Sequence, residues 1–551
     1  MRPSKLACLS LVVLLFAVMI PACTAPQKLA NTINLNLSWE PPTLDPCLAT
    51  DSASLSIIDG LFWGLTDINN QTNEATPKLA TSWDVSDDGL VWTFHLRDDF
   101  YWVHYDPQTK KTEKKRQVTA HDVEYGAKRT IDPATASDYA YVDYIIENAY
   151  AVNTGENPNL DAIGVQALDD RTVQFTLEEP ASYFAFIAGL WVNYPLPREA
   201  IDQYGEKWTE PGNLWSCGPY LLDTWEHENR IVQVKNPLFH DAPQVSIATV
   251  NWAMIANAAT ALNMYESGQL DSLSDFPVVD LARIRADSAL SKELHIVPRL
   301  ATGYLGFNVN KPPVDNRLVR KALAAAIDKQ EVIDTLWGGA QIVAKTFAPP
   351  GIFGSPALAP NFQGIPFDPQ QARQWLAEAG YPGGNGFPEI VFMFTTDVDL
   401  QKTAEYVQQQ WKENLGIEVK LANQEWAVFL QTVHTDPPHI FSLGWSADYP
   451  DENNWVLEVF HPTKGQNAPQ WSPNDPPAQR FMEVTEAAAV ATDPVKRKEL
   501  YFEAEQILIK DEAIIVPNAH MVTMYLTKPY VQRIFPVLGM LHIEQWKVRA
   551  H

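Results

Sequence analysis

The stretch Gly444-Trp445-Ser446-Ala447-Asp448-Tyr449-Pro450-Asp451 has the residue types and spacing best suited to chemistry. An apolar run, Ile440-Phe441-Ser442-Leu443, leads into it and reads as a buried strand. The strand would end on a glycine, a tryptophan and an aspartate. An acid beside an aromatic face suits a ligand with a positive head and an apolar body. The same residues also suit a surface loop with Asp448 as a cap, because aspartate is common in turns. Other aromatics stand at breaks in the pattern: Trp39, Tyr139, Tyr141, Trp225, Tyr304, Trp426 and Tyr449. Singly, each reads as core packing; together in a cleft they would wall an extended ligand.

Other chemistries leave no mark. There is no Gly-x4-Gly-Lys-Ser/Thr loop for nucleotide phosphates and no His-Glu-x-x-His or paired Cys-x-x-Cys for a metal. A Gly-x-Ser-x-Gly elbow is missing, and no spacing of acids singles out a glycosidase pair. No cofactor, metal site or catalytic residue is expected. A net charge of -26 argues against nucleic acid. The one basic run, 110–116, sits in a polar insertion and reads as a solvated hairpin tip.

The N-terminus is read apart from the fold. Arg2 and Lys5 precede an apolar run over 6–20, followed by Ile20-Pro21-Ala22-Cys23. The run is too short for a comfortable membrane span. Its ending resembles the bacterial lipobox, which implies cleavage before Cys23 and a lipid anchor on that sulfur. Cys47 and Cys217 then form an even pair in an oxidising compartment. A disulfide between them is the expectation, and two separate thiols the alternative.

A chain of 551 residues exceeds one core, so two or three lobes must hold the site. Residues 32–39 alternate as a strand, and 52–65 read as a helix. Asp87-Asp88-Gly89 predicts a tight turn before a strand at 91–97. Thr119 with Asp122 predicts a helix start, and 165–177 a hairpin. This early block reads as a lobe of its own. From about Arg299 the pattern changes: strands near 304–309, 390–394 and 417–421 alternate with helices over 317–329, 369–379, 399–415 and 426–433. That alternation predicts an α/β lobe with a largely parallel sheet, whose strand ends are where ligands bind. A last long helix runs from Asp493-Pro494 to about Ile509, and the tail from Ile514 needs a partner sheet, placed in the first lobe.

Several stretches, in order, resemble the extracellular solute-binding proteins of family 5, receptors of ABC importers. They include Pro42-Thr43-Leu44-Asp45-Pro46, Leu79 to Trp83 with the turn after it, Val118-Thr119-Ala120-His121-Asp122-Val123, Cys217-Gly218-Pro219-Tyr220, Lys235-Asn236-Pro237, Asn308 to Asp328, and Gly444 to Tyr449. Asn423-Gln424-Glu425-Trp426 and the segment 135–141 are similar to the oligopeptide-binding branch. The resemblance implies an α/β, bilobal periplasmic-binding-protein-like fold (type II, cluster C) with an extra subdomain in the first lobe. The implied division is a signal at 1–22, a first lobe from 23–62, 194–300 and 520–551, an extra subdomain at 63–193, and a second lobe at 301–519.

It further implies a monomeric receptor, lipid-anchored outside the cytoplasm, that closes on oligopeptides and passes them to an ABC permease. Asp448 would bind the peptide ammonium. Trp445, Gly444, Ser446, Trp426, Tyr304 and Tyr139 would line the site, and Thr50, Asp51 and Ser52 would supply backbone bonds. Two departures stand out. Relatives often carry a disulfide where this chain has Ser446 and Ala301, and the basic side chains that meet the peptide carboxylate are missing from 434–443. An oligosaccharide or a metal chelate is the alternative ligand, and a glycosidase the alternative activity.

Overall fold

A computed structural model describes residues 31–274, 276–538 and 540–550. Cys23 and the apolar run before it lie outside the described residues. Among the described residues, no helix is long and apolar enough to cross a membrane.

The first lobe is built on a four-stranded sheet in the order Thr32–Leu37, Thr249–Met254, Arg230–Lys235, Tyr220–Glu226. The N-terminal strand is thus paired with a strand more than two hundred residues on. A second four-stranded sheet, from Ala80–Val85 to Val165–Asp169, belongs to the early block. The turn at Asp87-Asp88-Gly89 forms as expected, with Gly89 at φ 74°. Thr119 and Asp122 close a reciprocal capping box on the helix Ala120–Ile131. The basic run forms one arm of an antiparallel hairpin, Tyr101–Asp106 with Lys111–Gln117. The early block does not keep a core to itself: one continuous apolar core runs from Ile33 through Phe94 and Phe184 to Trp252 and Trp546.

The second lobe is built on a seven-stranded sheet. Its parallel part is limited to Val419–Gln424, Ile390–Thr395 and Ile440–Ser446. The remaining strands are antiparallel, so the sheet is mixed and not largely parallel. The tail explains the difference. Ile515–Thr527 pairs with Leu294–Phe307 in this same sheet, not in a sheet of the first lobe. These two long strands lie side by side and run between the lobes. Their pairing is interrupted between Pro298 and Thr302 and again between Gly303 and Tyr304. The chain then returns to the first core through Val531, Ile543 and Trp546.

Side chains alternate across this sheet. Leu305 and Ile440 enter the core on one face, with Trp411 and Leu323. Tyr304 and Phe441 enter the core on the other, with Phe347, Trp455 and Tyr501. The alanine-rich helix ends early, at Ala325, because Asp328 caps a new helix, Lys329–Leu336. The last helix, Pro494–Glu505, continues as a wider π turn, Gln506–Asp511.

Candidate functional site

The lobes touch across a cleft. Tyr183 and Tyr449 stack face to face, 5.4 Å between ring centroids and 8° apart in plane. Asn73 Nδ2 donates to the Gly351 carbonyl (2.9 Å), and Lys464 lies 3.8 Å from Glu179. Two cavities remain between them. The inner one is about 210 Å³ and is lined by Thr50, Asp51 and Ser52, Tyr139, Trp191, Arg299 and residues 446–448, among others. The outer one is about 700 Å³, with Tyr141, Tyr183, Asn453 and Glu458 on its wall.

The loop carrying Thr50 to Ser52 is held by charge. Arg129 grips Asp45 with two bonds of 2.7 and 2.8 Å, and Trp208 Nε1 adds a third at 3.0 Å. Trp191 Nε1 donates to the Ala49 carbonyl (2.9 Å). Asp51 caps the helix Ser52–Leu61, accepting from the amides of Ala53 and Ser54. That fixes the loop against the cavity.

On the opposite wall, the strand Ile440–Ser446 pairs with Leu294–Phe307 so that Ala301 faces Ser446. Asp448 follows, half-buried on the cavity wall. Its amide donates to Asn454 Oδ1 (2.9 Å), and Asn454 Nδ2 donates back to its carboxylate (2.9 Å). Asn454 Nδ2 also reaches Glu458 (2.8 Å), and Trp445 Nε1 donates to Asn454 Oδ1 (3.2 Å). A π turn, Asn453–Leu457, brings these groups together. Tyr449 donates its hydroxyl to Glu458, which also accepts from Asn453 (3.2 Å).

Among the described residues, no ion pair joins Asp448 or Glu458 to a cation. Burial pushes the Asp448 carboxyl up to about 6, against the pull of Asn454 and Tyr141. Burial pushes Glu458 up to about 7. Two acids held in place without a counter-charge make a site for a cation brought from outside.

Of the residues singled out from the sequence, Thr50, Asp51, Ser52, Tyr139, Ser446 and Asp448 meet at the inner cavity. Trp445 is half-buried and orients Asn454, while Gly444 is exposed beside Met521. Two positions lie elsewhere. Tyr304 is 3 % exposed and packs edge-on to Phe347 and Phe460 in the core, because it falls on the inward face of its strand. Trp426 is 51 % exposed, opens the helix Trp426–Thr435 and stacks on Phe429. Neither lines a cavity between the lobes.

The expected disulfide is absent. Cys47 and Cys217 are free thiols, each buried in its own place. Cys47 Sγ lies against the Gly126 carbonyl (3.8 Å), and Cys217 sits in a turn whose amide bonds the Leu61 carbonyl (3.1 Å). Burial pushes both thiols up to about 12, so they behave as small apolar fillers. Asn454, Glu458, Trp191 and Arg299 escaped the sequence reading. Asn454 and Glu458 carry one usable signal, an amide and an acid four apart behind the motif.

Comparison with known proteins now decides the family. The profile of bacterial extracellular solute-binding proteins, family 5 Middle, matches residues 74–467. The chain belongs to this family. Its sequence is 33 % identical over 503 residues to the oligopeptide-binding protein OppA of Bacillus subtilis, covering 89 % of this chain and 88 % of that one. Its fold is similar to a periplasmic oligopeptide-binding protein, OppAIV, from Borrelia burgdorferi, with a TM-score of 0.76 and 28 % identity, covering 94 % of this chain and all of that one. It is also similar to Haemophilus influenzae OppA in complex with the peptide RPPGFSPFR, with a TM-score of 0.75 and 26 % identity, covering 95 % and 99 %. The bilobal α/β fold agrees with the solved structures.

Proposed function

We propose that the chain is the peptide receptor of an ABC importer, with Asp448 as the anchor for the peptide ammonium. The observation that carries this reading is the half-buried carboxylate of Asp448, positioned by Asn454 and, among the described residues, left without a cation at the wall of an inter-lobe cavity. Pairing with an ammonium returns the charge that burial costs. The loop at Thr50 to Ser52 and the strand end at Ser446 offer backbone groups on opposite walls, so an extended peptide adds between them as a short strand. Aromatic walls from Tyr139 and Trp191 accept varied side chains, with water filling the remainder.

Closure follows from the same geometry. Ligand held by Asp448 on the second lobe is covered by Tyr139 and the Thr50 loop on the first, and the Tyr183–Tyr449 stack completes the contact. The signal-like N-terminus with Cys23 supports a lipid-anchored receptor outside the cytoplasm that delivers its peptide to a membrane permease. The reading is tested by mass spectrometry of ligand copurified with the protein, then calorimetry with defined peptides. Binding of peptides with a free α-amino group is expected. Binding of saccharides, with no response to any peptide, would overturn it.

A further inference from the structure

The outer cavity carries a charge of its own. Glu458 stands on its wall, half-buried, with its carboxylate held by neutral donors: the Tyr449 hydroxyl, Asn453 Nδ2 (3.2 Å) and Asn454 Nδ2 (2.8 Å). The other acids on that wall are answered. Glu178 accepts the Asn148 amide (2.7 Å), while Glu179 and Glu486 face the Lys464 ammonium at 3.8 and 3.4 Å. Among the described residues, no cation pairs with Glu458.

Asp448 and Glu458 are joined through one side chain. Asn454 Nδ2 donates to Asp448 (2.9 Å) and to Glu458 (2.8 Å), so the two carboxylates stand two hydrogen bonds apart. Yet they open on different spaces, Asp448 on the inner cavity and Glu458 on the outer. Tyr141 stands at the boundary: it lines the outer cavity, and its hydroxyl bonds Asp448. A group bound to Asp448 therefore lies beside the outer cavity.

The walls of that cavity suit a long side chain with a charged end. Tyr144 and Tyr150 line it and meet edge to face, 5.1 Å between ring centroids and 89° apart in plane. Tyrosine rings cover methylene groups and attract cations. At about 700 Å³, the space is ample for one side chain. Lysine carries its ammonium on a flexible four-carbon stem, long enough to leave the backbone and reach a separate acid. Successive side chains of an extended peptide point to opposite faces. The first residue is the one fixed beside Asp448, and the second side chain points away from the face that the first one uses.

We infer that the outer cavity is a second subsite, in which Glu458 pairs with the basic side chain of the ligand's first residue. The ligand's two cations then sit on two acids: the α-ammonium on Asp448, the side-chain ammonium or guanidinium on Glu458. Asn454 is shared by both carboxylates, so it fixes their spacing and ties the selection to that one position of the peptide. This inference rests on the peptide reading of Asp448.

The test is calorimetry on the mature chain with four peptides: lysyl-tetra-alanine, norleucyl-tetra-alanine, alanyl-lysyl-trialanine and alanyl-norleucyl-trialanine. Norleucine keeps the apolar stem of lysine and lacks its charge. The wild type should prefer lysine over norleucine at the first position by about tenfold or more, as expected for one charge-assisted hydrogen bond. At the second position the two should differ by no more than about twofold. Glu458→Gln, which keeps the shape of the side chain, should bring the first-position ratio to about twofold or less. The ratio is taken on each protein separately, so a general loss of affinity in the variant cancels. Equal binding of lysine and norleucine at the first position by the wild type overturns the subsite, without recourse to any variant. A ratio that survives Glu458→Gln overturns the role of Glu458, and an equal gain from lysine at the second position overturns the placement. In each of these cases peptides still bind, and the peptide reading stands. Failure of all four to bind the wild type overturns that reading, and this inference with it.

Discussion

Asp448 and Asp451 are three residues apart, and the fold treats them in opposite ways. Asp451 is 2 % exposed and is gripped by Arg497 through two bonds of 2.8 and 3.0 Å. The guanidinium lies over the rings of Phe353, Tyr501 and Tyr183, at 4.9 to 5.7 Å. Tyr501 adds its hydroxyl to both partners. Asp448 receives only the amide of Asn454 and the Tyr141 hydroxyl. Asp451, whose carboxylate supports the fold, is given a cation by the fold. Asp448 is positioned by neutral donors, and in the proposed reading its cation comes with the ligand.

The largest way to break this comparison is Arg497→Met. It strands the Asp451 charge in the core and should cost about 3–5 kcal/mol of stability, read from the denaturation midpoint. A loss under about 1 kcal/mol would place Asp451 among ordinary surface-like acids. Asp448→Asn should do the reverse. Peptide binding should fall by about 2–5 kcal/mol in calorimetry, while the melting temperature stays the same or rises, because a half-buried charge without a cation is removed.

A pH series sharpens the contrast further. The Asp448 carboxyl sits near 6 without ligand, above its unfolded value. An ammonium pairs only with the ionised form. Affinity should be highest near about pH 7, between the carboxyl and the peptide ammonium, and should fall as pH drops through 6, approaching about tenfold per unit well below it. Asp448→Asn should flatten that profile. The smallest effect is expected from Tyr183→Leu. Losing the stack with Tyr449 should weaken closure by about 0.5–1.5 kcal/mol, seen as a modest loss of affinity and a more open shape in solution scattering.

The placement of Asp448 at a strand end on a cavity wall was readable in the sequence because several local signals agree there. An apolar strand, a strand end, an aromatic and an acid occupy the nine positions from Ile440 to Asp448, and the Thr50 loop follows a recognisable proline break. Residues whose roles depend on distant partners were not readable. Tyr304 looked like a ligand wall until the strand phase turned it into the core with Phe347. Cys47 and Cys217 are even in number, but each fits a separate gap, which a count cannot reveal. The mixed sheet was misjudged because the strand Ile515–Thr527 pairs back to Leu294–Phe307 across a long span of chain. Asn454 and Glu458 stand four apart, which brings them together on any helical turn, but the spacing alone does not show that the turn faces Asp448.

The two long strands shared by the lobes have a mechanical consequence. A pair of strands bonded along their length acts as a ribbon, which twists under load and springs back. The gap at Pro298 to Thr302 concentrates that twist at the level of the inner cavity. A closing motion of the lobes that bends the ribbon meets least cross-strand resistance at this unpaired stretch, beside the inner cavity.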